Sequence, residues 1–132
     1  MPAVTPDLSA TLHAPLAALA SRFVDVESLP WRDTRFPKIR MKVLLEDKQS
    51  GLLTVLFDWA PGALLPDHEH VEIEQSFVLS GELEDDDGIC TAGNFVWRPA
   101  GSRHNARSPK GVMLLAFFLK PNKFFDVPPA TH

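Results

Sequence analysis

From Lys38 to Leu44 the chain reads K-I-R-M-K-V-L, polar and apolar in turn, which is the period of a strand with one buried face. Leu52 to Ala60 (LLTVLFDWA) predicts a second strand, apolar on both faces for much of its length. DKQSG, Asp47 to Gly51, supplies the turn between them, and Pro61-Gly62 turns the chain onward. Gln75–Leu79 predicts a strand, and Glu82–Asp86 a returning one after Gly81. Asp87-Gly88 is a two-residue hairpin signal. Phe95–Arg98 and Val112–Leu119 add two more strands. Many short strands with turn signals between them predict an all-β domain, an antiparallel barrel or sandwich.

The two ends differ from this pattern. Leu8, Leu12, Leu16 and Leu19 recur at three- to four-residue spacing, which predicts a short amphipathic helix. Pro15 limits it to one or two turns. Residues 1–34 are thus expected to form an arm that packs on the barrel or on a second subunit. Residues 35–120 form the barrel. Residues 121–132, with Pro121, Pro128 and Pro129, form a tail that wraps the surface or frays.

Composition narrows the function classes. The chain has 132 residues, enough for one domain with a core, and 45% of them are hydrophobic, so it is not a disordered chain. A formal net charge of −4 provides no basic footprint for nucleic acid. No apolar run approaches the ~18–20 residues that cross a bilayer, so no membrane partner is expected. The single cysteine, Cys90, excludes an intrachain disulfide and is expected to be a small buried residue. No Lys or Arg precedes Arg22, unlike a signal peptide, and the expected location is cytoplasmic.

The candidate chemistry lies between Gly62 and His104. His68 and His70 are two apart, so on a strand they share a face. Both rings can then reach one metal ion at ~2.0–2.1 Å. Glu74 has the same parity but would sit ~13 Å beyond His70 on a straight strand. It can join only if the chain reverses at Val71-Glu72-Ile73, which leaves Glu72 on the turn and ranks it behind Glu74. His104 arrives later, after a tight turn set by Pro99 and Gly101. Imidazole suits several divalent metals, so the ligand type does not choose among them.

These residues fall into two spaced motifs. The first is Gly62, five residues, His68, one, His70, three, Glu74, six, Gly81. The second is Gly93, five residues, Pro99, one, Gly101, two, His104. Together they resemble the cupin pattern over roughly residues 35–120. An Asn usually follows four positions after the final histidine, and Ser108 stands there. The resemblance implies a cupin antiparallel β-barrel (jelly roll) with one divalent metal ion per chain, held by His68, His70, Glu74 and His104. Within the cupins, the chain is similar to the branch of acetylacetone-cleaving dioxygenases, dihydroxyacetophenone dioxygenases and the zinc-binding domain of ChrR-type anti-sigma factors. Trp31-Arg32, SGLLTVL, VLSGELEDDDG and WRPAGSRHNARSPKG carry that likeness. The branch often has a Gly-rich turn where this chain has Val71-Glu72-Ile73. Its acetylacetone enzyme uses three histidines without a ligating Glu, so the role of Glu74 stays open.

The resemblance implies a mononuclear Fe(II) dioxygenase that cleaves a C–C bond in a small β-diketone or aromatic ketone, with O2 as co-substrate. Zn, Ni, Mn or Cu are the other metals to consider. Phe57, Trp59, Phe77, Phe95, Arg98 and Phe117 are the candidate pocket residues, and Arg103 and Arg107 also flank His104. The alternative is a non-catalytic zinc-binding sensor or structural cupin of the ChrR type. A sugar-nucleotide epimerase-type barrel fits less well, because those sites work through acid–base residues without a full ligand set. A homodimer is expected, since bare edge strands invite pairing. The acidic run Glu82–Asp87 is expected to be a solvated hairpin tip, and His13 and His132 to be unrelated to the site.

Overall fold

The computed structural model describes Ser21 and residues 23–125. The predicted N-terminal helix, His13 and His132 lie outside the described residues. A 3-10 turn at Val26–Ser28 precedes ten strands: β1 Arg32–Asp33, β2 Ile39–Asp47, β3 Leu52–Trp59, β4 Ala63–Glu69, β5 Glu74–Asp85, β6 Gly88–Thr91, β7 Phe95–Arg98, β8 Arg103–Ser108, β9 Val112–Phe118 and β10 Lys123–Phe124. All pairings are antiparallel, in the order β1-β2-β3-β9-β5-β8-β4-β10, with β6 and β7 also on β5. The cupin fold expected as an antiparallel barrel is present, as a curled antiparallel sheet that forms a half-barrel.

Alternation decides which residues fill it. On β3, Leu53, Val55, Phe57 and Trp59 are buried and belong to the interior cluster. From β5 and β9 they meet Val78, Leu114 and Phe118, and Phe57 and Phe118 pack edge to face at 6.4 Å. Each such side chain contributes ~1.5–3 kcal/mol by leaving water.

β5 corrects two sequence expectations. It is one continuous strand where two were expected, and Gly81 lies within it rather than at a turn. Its first half pairs with β7 and β9, and its second half with β6 and β8. A register shift between Val78 and Ser80 and the left-handed φ of 73° at Gly81 bend it between the two faces. A Cβ at Gly81 would run into the carbonyl oxygen of Gly111. The following hairpin turns at Asp86-Asp87, one residue before the Asp-Gly signal. There the Asp85 carboxylate accepts hydrogen bonds from the amides of Asp87 (2.8 Å) and Gly88 (3.2 Å), an Asx-type closure.

The start of the tail also departs from expectation. β10 pairs with β4, and Phe124 is buried in the core against Phe36, with ring centroids 4.8 Å apart. The remainder of the tail lies outside the described residues.

Candidate metal centre

Three local devices bring the histidines together. His68 sits near the end of β4, in register with His104 on β8. A bulge between Leu65 and His68 lies just ahead of it. His70 follows the strand, and its backbone is clamped to the 99–102 turn: its N–H donates to Ser102 O at 2.8 Å, and its C=O accepts from the Gly101 amide at 2.7 Å. That turn closes by a bond from Ser102 N–H to Pro99 O, with Gly101 at φ 85°, as a type II turn requires. The predicted Pro–Gly turn thus delivers His104 as the second residue of β8.

The three ring centroids lie 4.7–4.9 Å apart, and one nitrogen from each ring falls within 4.8 Å of the others. His68 and His70 are fully buried, and His104 is partly so. The Nδ1 of His68 lies 2.7 Å from Pro66 O, and the Nδ1 of His104 lies 2.8 Å from an Asp85 carboxylate oxygen. Both partners can only accept, so each Nδ1 carries the proton and each Nε2 keeps a lone pair. Burial drives the His68 ring down to a pKa of about 4, with the neighbouring His104 and His70 rings adding to it, despite the opposing bond to Pro66 O. Burial likewise lowers His104, against the opposing bond to Asp85. Both rings are therefore neutral at neutral pH, the form that binds metal.

The donor set fits a divalent ion. His70 Nε2 lies 2.9 Å from His104 Nε2. Two nitrogens bound to one ion at ~2.0–2.1 Å stand ~2.8–3.4 Å apart. The buried Nδ1 of His70 makes no hydrogen bond; Glu74 Oε1 is 2.9 Å away but outside hydrogen-bond geometry. Three imidazoles with ring nitrogens converging on one point are an arrangement that a cation would satisfy, while the orphaned Nδ1 of His70 lies at the rear, towards Glu74. The chain reverses at residues 70–73 as expected, but β5 then crosses to the opposite face. Glu74 thus meets the rear nitrogen of His70 and stands outside the three-nitrogen group.

Asp85 is the functional residue that sequence reasoning missed. The acidic run predicts a solvated hairpin tip, and of its three consecutive aspartates only Asp86 and Asp87 fit that description. The Asp85 side chain is buried, binding His104 with one oxygen and closing the hairpin with the other. The Arg98 guanidinium donates to it as well. Burial alone would raise the Asp85 carboxyl, but the bonds from His104 and the Asp87 amide and the charge of Arg98 hold it below the usual range. In retrospect the signal was an Asp two residues before Asp87 in a tight hairpin, the spacing of an Asx turn.

Two cavities that share part of their walls adjoin the site. The inner one, about 30 Å³, is lined by Phe57, Trp59, His68, Glu74, Arg98, His104 and Phe118 among others. Trp59 Nε1 is buried without a hydrogen-bond partner. The outer cleft, about 300 Å³, runs under the β5–β6 hairpin past Ile89, Cys90 and Phe95 and also reaches Arg98 and His104. Of the pocket residues expected from sequence, Phe57, Trp59 and Arg98 line the inner cavity. Phe95 lines the outer cleft, as Arg98 also does, while Phe77 and Phe117 line neither cavity and lie exposed on the outer sheet face. Phe77 and Phe117 are each one residue out of phase with the inner-cavity residues Ser76 and Phe118. Arg103 pairs with Asp67, and Arg107 with Glu84 and Asp86, away from the cavity. Cys90 is half-buried in the cleft wall, and burial raises its thiol.

Solved structures share this fold. An acetylacetone dioxygenase from Acinetobacter johnsonii superposes with a TM-score of 0.72 at 19% identity, over 81% of this chain and 79% of that one. A candidate acetylacetone dioxygenase from Methylibium petroleiphilum PM1 gives 0.75 at 23% identity, over 83% and 86%. An RmlC-like cupin from Ralstonia eutropha JMP134 gives 0.75 at 16% identity, over 89% and 80%. No curated protein matches the chain. A sequence model of the ChrR cupin-like domain family matches residues 20–123, nearly the whole described chain with its three histidines, Glu74 and Asp85, and the chain belongs to that family.

Proposed function

We propose that the chain is a mononuclear metal cupin, and more finely an Fe(II) dioxygenase that cleaves a C–C bond in a small β-diketone or aromatic ketone. One observation carries the reading: three histidines converge beside an apolar inner cavity that His68 and His104 line, and His104 also reaches a cleft of small-molecule size. The fold shared with one acetylacetone dioxygenase structure and one candidate acetylacetone dioxygenase structure supports the choice of chemistry.

When bound, the ion supplies Lewis acidity toward enolate oxygens, and iron adds the redox chemistry that O2 needs. His68, His70 and His104 are the ligands, with Glu74 behind His70 and Asp85 behind His104. Leu83, Val96 and Ala106, common to both cavities, exclude water from the path to the site. Arg98 reaches both cavities while also donating to Asp85, and the inner wall includes Trp59, whose buried N–H has no partner. These groups orient an anionic oxygen ligand and stabilise its charge. A β-diketone and O2 together contain every atom of a carboxylic acid and an α-ketoaldehyde, so cleavage needs no further reductant.

The test is O2 uptake by protein loaded anaerobically with Fe(II), against a panel of β-diketones and hydroxyaryl ketones, with Zn-loaded protein and His104→Ala as controls. Uptake that requires both iron and His104 is the expected result. Tight metal binding with no uptake across the panel would instead favour a zinc-binding cupin without turnover, the reading that the family's ChrR description suggests.

A further inference from the structure

The outer face of the β2-β3-β9-β5-β7 sheet is apolar and only half covered. Lys42, Leu56, Leu115, Phe77 and Phe95 are successive cross-strand partners and form one row over it. Along that row exposure rises from 7% at Lys42 and 9% at Leu56, through a half-buried Leu115, to 39% at Phe77 and 48% at Phe95. Phe117 and Trp97 flank Gln75 in the next row and are exposed too. Leu56 is buried although it points away from the interior cluster.

The covered end of the row has an identifiable cover. Lys42 Nζ donates to the carbonyl oxygens of Val26 (2.8 Å) and Glu27 (3.3 Å) and lies 4.8 Å from the Trp31 ring. The chain leading into β1 therefore already runs over this face. Residues 1–20 precede it, with Asp7 their one Asp, Glu, Lys or Arg and leucines at 8, 12, 16 and 19. From Lys42 to Phe95 is four strand spacings, ~19 Å. Twenty residues span ~30 Å even when fully helical, so reach is not limiting.

We propose that residues 1–20 dock in cis on the outer face of this sheet, their leucines covering Leu115, Phe77, Phe117 and Trp97. The strap buries an aromatic surface of a kind that otherwise invites association. It explains why Phe77, Phe95 and Phe117 are apolar although they line no part of the inner cavity. This inference is independent of the metal site.

Gln75 lies exposed in the middle of the patch and serves as a probe. The full chain with Cys90→Ser and Gln75→Cys is labelled with a thiol reagent, alone and with Leu12→Asp plus Leu16→Asp. Circular dichroism checks folding, and light scattering measures mass at each concentration. The expected result is at least a tenfold faster labelling in the Asp variant, with protection in the parent independent of concentration. A milder Leu12→Ser variant, expected to lie between, serves if the double variant misfolds. Equal labelling in parent and variants would overturn the proposal. So would protection that tracks dimer formation, which would assign the face to a second copy. A second arm pairs Leu12→Cys with Gln75→Cys in the Cys90→Ser chain: oxidation should give a cross-linked monomer, and a cross-linked dimer would count against docking in cis.

Discussion

His68 and His104 face each other across one β4–β8 pair, yet the two rings are held by different physics. His68 donates to the backbone carbonyl of Pro66, two residues away, and packs on Phe124 at 5.3 Å. Its orientation is local and its walls are apolar. His104 is held by Asp85, nineteen residues earlier in the chain, and Asp85 is itself held by Arg98 and the hairpin amides. One side of the site is set by packing and the other by a buried charge network. Partial loss of such a network costs more than loss of a surface pair, because the remaining polar groups cannot turn to water.

The largest effect expected is from the ligands themselves. His70→Ala or His104→Ala should abolish stoichiometric metal binding, read as metal content after dialysis. Next is the charge network. Asp85→Ala strips His104, Arg98 and two amides of their acceptor, and should lower metal affinity ~10–100-fold. It should also destabilise the fold by ~3 kcal/mol, measured by urea titration of metal-free protein. If affinity and stability were unchanged, the charged side would matter no more than the packed one.

The packed side is probed by pH. The His68 pKa is about 4 when folded and 6.5 when exposed, so the unfolded chain takes up the proton first as pH falls. Metal-free protein should then be at full stability above pH 6.5 and lose up to ~3 kcal/mol as pH drops to 4. His104, also lowered, adds in the same direction. A flat stability profile between pH 7 and 4 would contradict the burial argument. The smallest effect sharpens the contrast. Asp67 adjoins His68 in sequence, but it pairs with Arg103 at the surface. Asp67→Asn should leave metal content and melting temperature essentially unchanged, because water replaces what is lost.

The fold and the three histidines were legible because they rest on local rules. Alternation located the inward residues of β2, H-x-H put two rings together, and Pro99-x-Gly101 forced the turn that delivers His104. Other features failed for identifiable reasons. Leu52–Leu53, Val55–Phe57, Phe77–Leu79 and Phe95–Trp97 are apolar on both faces, so alternation could not say which aromatics point inward. Gly81 reads as a turn residue, but here it permits a bend and a close backbone approach to Gly111. Asp85 sits in an acidic run whose next two members are solvated, and only pairing with β8 separates it from them. Glu74 had the right parity, but its partner depended on which face β5 crosses to.

That crossing gives β5 an unusual task. Laid straight, its twelve residues would extend ~36 Å. Yet its first side chain touches His70 and its last touches His104, rings whose centroids are 4.9 Å apart. The strand closes on the site like a belt, with Gly81 and the adjoining bulge giving it the curvature. Both ends arrive only after pairings distant in sequence have formed, which are late events in folding. The affinity of this protein for metal is therefore a gauge of whether the barrel has finished closing.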